Sequence, residues 1–419
     1  MATAKTTVVL FTDSFPFRCY TEEVFVLPEL QELSNKFQQV IIVPHRITGQ
    51  PIDISQPNIT VNLSMAKSPT TRFRLAKAPW LLSPWVLRRI PALLKETHSP
   101  NKLMSAWFYL VNTHLSAKTI NNLLKYYNLK PDSTLLYSFW FDHVADSFDY
   151  LKNRYKAITR AHGHDIFDYG ITHRINFLRN NTLSSLKKVY CASNDGCKFL
   201  SDRYPQHSAK ISTQLLGSLP PQKEAPLPES GSSVMTLFSC SRVAPEKRVE
   251  LCLKTAAAIA EAYPFKKIKW IHVGGGPLMP RLRIKATQTD MLPPNLSIEL
   301  RGPLPNSEVH KIYQNEPIHW FMLLSTTEGL PIAITEAMSY GIPVITTDVG
   351  GNSEIVTPET GILLPSDFNP KQIAGEIQPY IIDNDAYMQM RASAFNQWQN
   401  SFNANTLRHT FANSIRQLL

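Results

Sequence analysis

Apolar positions along the chain follow two alternating patterns. Short continuous apolar runs bounded by polar or turn residues occur at Thr7–Phe11, Val40–Val43, Leu135–Ser138, Ala157–Arg160 and Lys188–Ala192. Between the first two, Val24, Leu27, Leu30, Leu33 and Phe37 recur at helical spacing. Strands apolar on both faces, alternating with helices, predict a parallel sheet covered on both sides. The pattern then restarts with strand Met235–Ser239, helix 247–262, strands Lys269–Val273, Ile298–Leu300 and Trp320–Leu324, helix 331–340 and strand Val344–Thr346. Two doubly wound α/β domains in tandem are the expected fold class. Between them LPPQKEAPLPESGSS holds four prolines with Gly and Ser and reads as a linker. The expected organisation is a first domain over 1–217, a linker over 218–233 and a second domain over 234–400. A C-terminal helix over 401–419 is expected to pack back on the first domain.

A length of 419 residues agrees with two cores rather than one. With 43% hydrophobic and 18% charged residues, the composition is that of a globular protein rather than a disordered one. No run approaches the ~20 apolar residues of a membrane span, and the start has no cleavable signal layout. The expectation is a cytoplasmic protein, soluble or peripheral at the inner face of a membrane. Five scattered cysteines lack metal spacing and read as small buried residues in a reducing compartment.

Charge changes the picture once divided. Residues 1–216 hold 26 Lys+Arg against 15 Asp+Glu, whereas the remainder holds 17 against 18. A basic half serves nucleic acid, an anionic membrane surface or an anionic substrate, and no nucleic-acid-binding motif supports the first. Within it, residues 66–96 interleave Lys67, Arg72, Arg74, Lys77, Arg88, Arg89 and Lys95 with Trp80 and Trp85. This segment suits a membrane interface, or else a helical hairpin packed on the domain.

The candidate chemistry is concentrated in a few stretches. In STTEGLPIAITEAMSYGIPVITTDVGGNSEIV, residues 325–356, a strand ends, a loop presents Glu328 and Gly329, and Pro331 occupies a first helical position. Gly341 ends the helix and Pro343 prevents its continuation. The amides near Leu330–Ile332 form an anion site with the helix dipole behind them. Glu336 is a lone acid among apolar neighbours: either it faces a partner such as ribose hydroxyls, or it is an exposed helix residue, just as Glu328 is either functional or a solvated loop charge. In FSCSRVAPEKRVELCL, 238–253, Arg242 and Lys247 follow a strand's carboxyl end. Two cations there suit a diphosphate leaving group, or are simply surface charges. WIHVGGGPLMPRL, 270–282, carries a glycine turn around Gly275, and TRAHGHDIFDYG, 159–170, places His162, His164 and Asp165 after a strand. Asp165 equally suits a helix cap.

These stretches resemble the retaining GT-B glycosyltransferases of family 4, in the branch that builds bacterial polysaccharide, capsule and O-antigen. Residues 325–356 resemble its E-x7-E signature, with the E-G-L-P loop and a trailing G-G-x-x-E in Gly350, Gly351 and Glu354. Arg242, Glu246 and Lys247 match its strand-Arg-Glu-Lys pattern, and residues 159–170 resemble R-x-H-G-x-D. FTDSFPFRCYTEEVFV, 11–26, resembles the opening loop, with Glu23 and Phe25 as its E-x-F, but lacks the paired glycines that approach the diphosphate in many members.

The resemblance implies two Rossmann-like domains facing across a cleft. It implies retaining transfer from a nucleotide diphosphate sugar, a UDP-sugar first and GDP-mannose second, to a hydroxyl of a glycan or lipid-linked glycan in cell-surface polysaccharide synthesis. No cofactor and no metal ion are expected. By resemblance Glu336 holds the ribose, Glu328 meets the donor sugar, and Gly275, Gly329, Leu330 and Pro331 lie on the donor side. Arg242 and Lys247 stabilise the leaving group, His162 faces the reacting sugar, and Glu23, His164 and Asp165 lie on the acceptor side. Two other classes stay open: a nucleotide-sugar epimerase of the same shape, which needs no acceptor surface, and a non-catalytic sugar-nucleotide-binding protein.

Overall fold

The structure, a computed structural model, describes residues 5–17, 20–66, 82–96, 100–167, 176–229, 231–288 and 291–419. The chain divides into two compact units, residues 1–214 with Arg408–Leu419, and Leu215–Leu407.

The first unit is built on seven strands: β1 (Thr7–Thr12), β2 (Gln39–Pro44), β3 (Ile59–Val61), β4 (Thr134–Ser138), β5 (Lys156–Ala161), β6 (Lys188–Cys191) and β7 (Ile211–Thr213). Their order is β3-β2-β1-β4-β5-β6-β7, with every pairing parallel. Val8 and Leu10 turn to one face of β1, and Val9 and Phe11 to the other, so each face has its own core. The helix Tyr20–Lys36 covers one face through Val26, Leu30 and Leu33, and Phe411, Ala412 and Ile415 of the terminal helix Ala404–Arg416 join the same cluster. Each fully buried Val, Leu, Ile or Phe side chain here stabilises by about 1.5–3 kcal/mol. A buried ion pair crosses this layer: the Arg160 guanidinium bonds Glu29 at 2.6 Å and the Tyr137 hydroxyl at 2.8 Å, and lies 4.1 Å over the Phe411 ring.

The second unit has six parallel strands: β8 (Val234–Cys240), β9 (Lys267–Val273), β10 (Leu296–Gly302), β11 (Ile318–Leu323), β12 (Val344–Thr347) and β13 (Gly361–Leu364). The order is β10-β9-β8-β11-β12-β13. Strand order reverses between β8 and β11, and in such sheets ligands bind outside the carboxyl ends at that reversal.

All strands expected from the apolar runs are present, with ends within two residues of the expectation. The short strands β3, β7 and β13 and the long helix Pro100–Tyr126 were not anticipated. The helix expected from 247 starts at Val249, because Pro245–Lys247 forms a 3-10 turn and Arg248 takes a left-handed φ of 44°. Pro331 is the N-cap, one position before the helix Ile332–Ser339, rather than its first residue. No helix among the described residues is long and apolar enough to cross a membrane.

Candidate functional site

The carboxyl ends of β8 and β11 are laced together by the Arg248 side chain and by the backbone. Arg248 extends its guanidinium to the carbonyls of Leu324 at 2.7 Å, Ser325 at 2.9 Å and Ser366 at 2.7 Å. The Thr326 amide donates to the Glu246 carbonyl at 2.8 Å. This geometry sets Lys247, at the end of its 3-10 turn, against Glu328 in the loop after β11. The Lys247 Nζ lies 2.6 and 2.7 Å from the two Glu328 oxygens, and the Ser325 hydroxyl donates to Oε1 at 2.5 Å. Glu328 is only 7% exposed, so it is not a solvated loop charge. Arg242 lies at the surface and bonds Glu246 at 2.5 Å.

The glycines around this pair are required by close approach. A Cβ on Gly350, at φ +54°, would fall 1.9 Å from the Glu328 carbonyl oxygen, and one on Gly351 would fall 2.4 Å from that of Gly329. The Gly351 amide donates to the Gly329 carbonyl at 2.8 Å, so the glycine pair buttresses the loop holding Glu328, Gly329 and Leu330. Gly274, at φ +144°, leaves no room for a Cβ against the Ser241 carbonyl. The Val243 amide bonds the Gly275 carbonyl at 2.8 Å, which fixes the loop carrying Arg242.

Glu336 faces inward from the helix Ile332–Ser339 and is 6% exposed, which removes the reading of an exposed helix residue. One carboxylate oxygen accepts from Asn306 Nδ2 at 2.8 Å, and His310 Nε2 lies 3.9 Å away. His310 Nδ1 is 2.8 Å from the Tyr340 hydroxyl, and the Tyr340 and Tyr313 rings stack at 4.8 Å. Burial raises the Glu336 carboxyl from an ordinary 4.5 to about 7, against the opposing pull of the Asn306 bond. Burial also lowers the pKa of His310, leaving it a neutral neighbour. Asn306, His310 and Tyr340 were not anticipated. The only signal for the first two was a polar helix start, PNSEVH, after the strand that ends at Gly302.

In the first unit, His162 follows β5 and is half-buried. Its Nε2 lies 3.1 Å from the Phe139 carbonyl, and its ring packs 4.6 Å from Trp140. A carbonyl only accepts, so Nε2 carries the proton. Burial, aided by Arg160, lowers its pKa. Asp165 is buried and accepts from the amides of His162 at 3.2 Å and Phe141 at 3.3 Å, a loop-fixing role, while His164 is exposed. The end of that motif, 168–170, lies outside the described residues.

The opening loop is organised by Glu22 rather than Glu23. Glu23 is partly exposed, whereas Glu22 is 1% exposed and accepts from the amides of Asp13, Ser14 and Phe15, each at 2.7 Å. It also accepts from the Ser14 hydroxyl at 3.1 Å and the Trp140 indole at 2.8 Å.

Among the described residues no group of three or more His, Cys, Asp or Glu is placed to hold a metal ion. The sequence does contain one D-x-D triplet, Asp383-Asn384-Asp385, but Asp383 caps the helix Asn384–Gln397 through the amides of Asp385 and Ala386 at 2.9 and 3.0 Å.

Residues 229–397 match the sequence family described as Glycosyl transferases group 1. A phosphatidylinositol N-acetylglucosaminyltransferase subunit from Arabidopsis thaliana is 25% identical over 230 residues, covering 51% of this chain and 46% of that protein. The putative colanic acid biosynthesis glycosyltransferase WcaL of Escherichia coli (strain K12) is 24% identical over 192 residues, 44% of this chain and 45% of that one. The chain thus spans less than half the length of these relatives. Among solved structures, the lipopolysaccharide outer core galactosyltransferase WaaB superposes with a TM-score of 0.65 at 13% identity, covering 99% of this chain and 100% of that one. Sucrose-phosphate synthase from Thermosynechococcus elongatus gives 0.66 at 14% identity, with 99% of each chain covered. Anabaena HepE in complex with UDP and glucose gives 0.60 at 14%, covering 98% of this chain and 99% of that one. At such identities these structures speak for the fold alone. Residues 229–397 thus match the glycosyl transferases group 1 model, and the chain has the α/β fold of the GT-B glycosyltransferases.

Proposed function

We propose that this protein is a retaining glycosyltransferase that moves a sugar from a nucleotide diphosphate donor to a hydroxyl of a glycan or lipid-linked glycan. The observation that carries the reading is the Lys247–Glu328 pair at the strand-order reversal of the second unit, followed by a helix that carries the buried Glu336. In the transfer, the bond from the anomeric carbon to the β-phosphate oxygen breaks and a bond to the acceptor oxygen forms. The acceptor proton passes to solvent, and negative charge collects on the leaving diphosphate. Lys247 and Arg242 meet that charge, helped by the free amides at the start of the helix Ile332–Ser339. Glu328 holds the Lys247 ammonium in place and faces the sugar, and Glu336 accepts from the ribose hydroxyls. The reading places charge stabilisation on these protein groups, without a catalytic metal. His162 serves the reacting sugar, with Glu23, His164 and Asp165 on the acceptor side.

A UDP-sugar is the preferred donor. Anabaena HepE is described in complex with UDP and glucose, and a pneumococcal O-GlcNAc transferase, GtfA, with UDP and GlcNAc. Peripheral membrane contact through 66–96 completes the reading. Residues 67–81 lie outside the described residues, but Leu82, Leu87 and Leu94 are exposed alongside Arg88 and Lys95. A thermal-shift screen of UDP, GDP and ADP sugars, followed by turnover with and without chelator, tests the proposal. Stabilisation by one nucleotide series and chelator-resistant turnover are expected. Absence of binding by every nucleotide would overturn the reading.

A further inference from the structure

An open groove with aromatic and basic walls lies on the first unit. Ser83 caps the short helix Pro84–Leu87, accepting from the Val86 amide at 3.3 Å, and Val86 is fully buried. This anchoring turns Trp85 toward His114 and Tyr150, with ring centroids 5.7 and 5.3 Å away. The Tyr150 hydroxyl is 2.7 Å from His114 Nδ1, locking two walls together. Arg89 lies 3.8 Å over the Trp85 ring and 3.6 Å from Asp149. Arg88 and Lys152 stand exposed at the rim. The open groove they line holds about 600 Å3, within the range of small-molecule sites and far more than an ion needs.

We propose that this groove binds a sugar ring carrying a phosphate group. The Trp85, His114 and Tyr150 rings give the groove an apolar wall against which the C–H face of a pyranose can lie. Among the described residues three cations line the groove, Arg88, Arg89 and Lys152, against the single carboxylate of Asp149. Two positive charges therefore remain, which matches a dianionic phosphate monoester, and the Arg fork suits its oxygens. The site is made wholly from the first unit, so it does not depend on the donor reading of the second.

Calorimetric titration of the full chain with glucose 1-phosphate, glucuronate, glucose and inorganic phosphate tests this. Glucose 1-phosphate is expected to bind tightest, more weakly as salt rises, and to change tryptophan fluorescence in a way that Trp85→Phe alters. The rim double variant Arg88→Ala/Lys152→Ala, at exposed positions and with an unchanged melting temperature, should weaken it by about tenfold or more. Equal binding by glucose or glucuronate would overturn the phosphate requirement, and equal binding by inorganic phosphate would overturn the sugar. Undiminished binding in the rim variant, or no binding at all, would overturn the site.

Discussion

Glu336 couples the proposed donor site to the stability of the unit that carries it. Its carboxyl is raised from 4.5 to about 7 by burial, a difference worth about 3 kcal/mol at ~1.4 kcal/mol per tenfold. The folded form holds the proton more tightly than the unfolded chain. That contribution is therefore complete below about pH 4.5 and is lost as pH rises through about 7. Glu336→Gln keeps an oxygen for Asn306 Nδ2 and removes the ionisation. In ligand-free protein it should raise stability by less than about 1 kcal/mol at pH 5 and by up to about 3 kcal/mol at pH 8. For a unit of this size that corresponds to a melting temperature roughly 6–12 °C higher. Differential scanning calorimetry of both proteins across pH 5 to 8 reads the effect. The same variant should bind nucleotide more weakly at pH 8, because a neutral amide is a poorer acceptor for ribose hydroxyls than a carboxylate. A melting-temperature difference that does not change with pH would refute the account of Glu336 as a carboxylate held in a poorly solvated site.

Three further perturbations read other parts of the structure. Lys247→Met should lower donor turnover by about 10²–10³-fold, with a smaller loss for the exposed Arg242→Ala; steady-state kinetics with the preferred donor compares them. Gly350→Ala forces a Cβ against the Glu328 carbonyl and should destabilise by about 1–3 kcal/mol while weakening donor binding, measured by urea denaturation and nucleotide titration. Glu29→Gln leaves the buried Arg160 guanidinium without its carboxylate and should cost about 3–5 kcal/mol, read from the denaturation midpoint, with nucleotide binding by the second unit retained.

Much of the fold was legible because continuous apolar runs report strands buried on both faces. β7, a three-residue IST, and β13, a GILL run opening on glycine, carry too little of that pattern to stand out. Within the site, Glu328, Glu336, Lys247 and the glycine pair were legible as residues, but their partners were not. Lys247 and Glu328 are 81 positions apart and meet because the strand order places β8 beside β11. The Asn306–Glu336 bond likewise spans 30 positions and links two helices. Glu22 and Glu23 are adjacent acids with equal local patterns, and only the curl of the loop after β1 decides which one is enclosed.

That enclosure gives the first unit a particular character. Three successive backbone amides, a hydroxyl and an indole converge on the Glu22 carboxylate, the arrangement of an anion nest already filled from within the chain. No amide of that trio is left to greet an arriving phosphate, so in the proposed reaction the donor's negative charge falls to the second unit's own cations and helix amides. Truncating the resident side chain, as in Glu22→Gly, would turn a sealed nest into a vacant one, and sulfate or phosphate would then stabilise the variant where it leaves the parent unaffected.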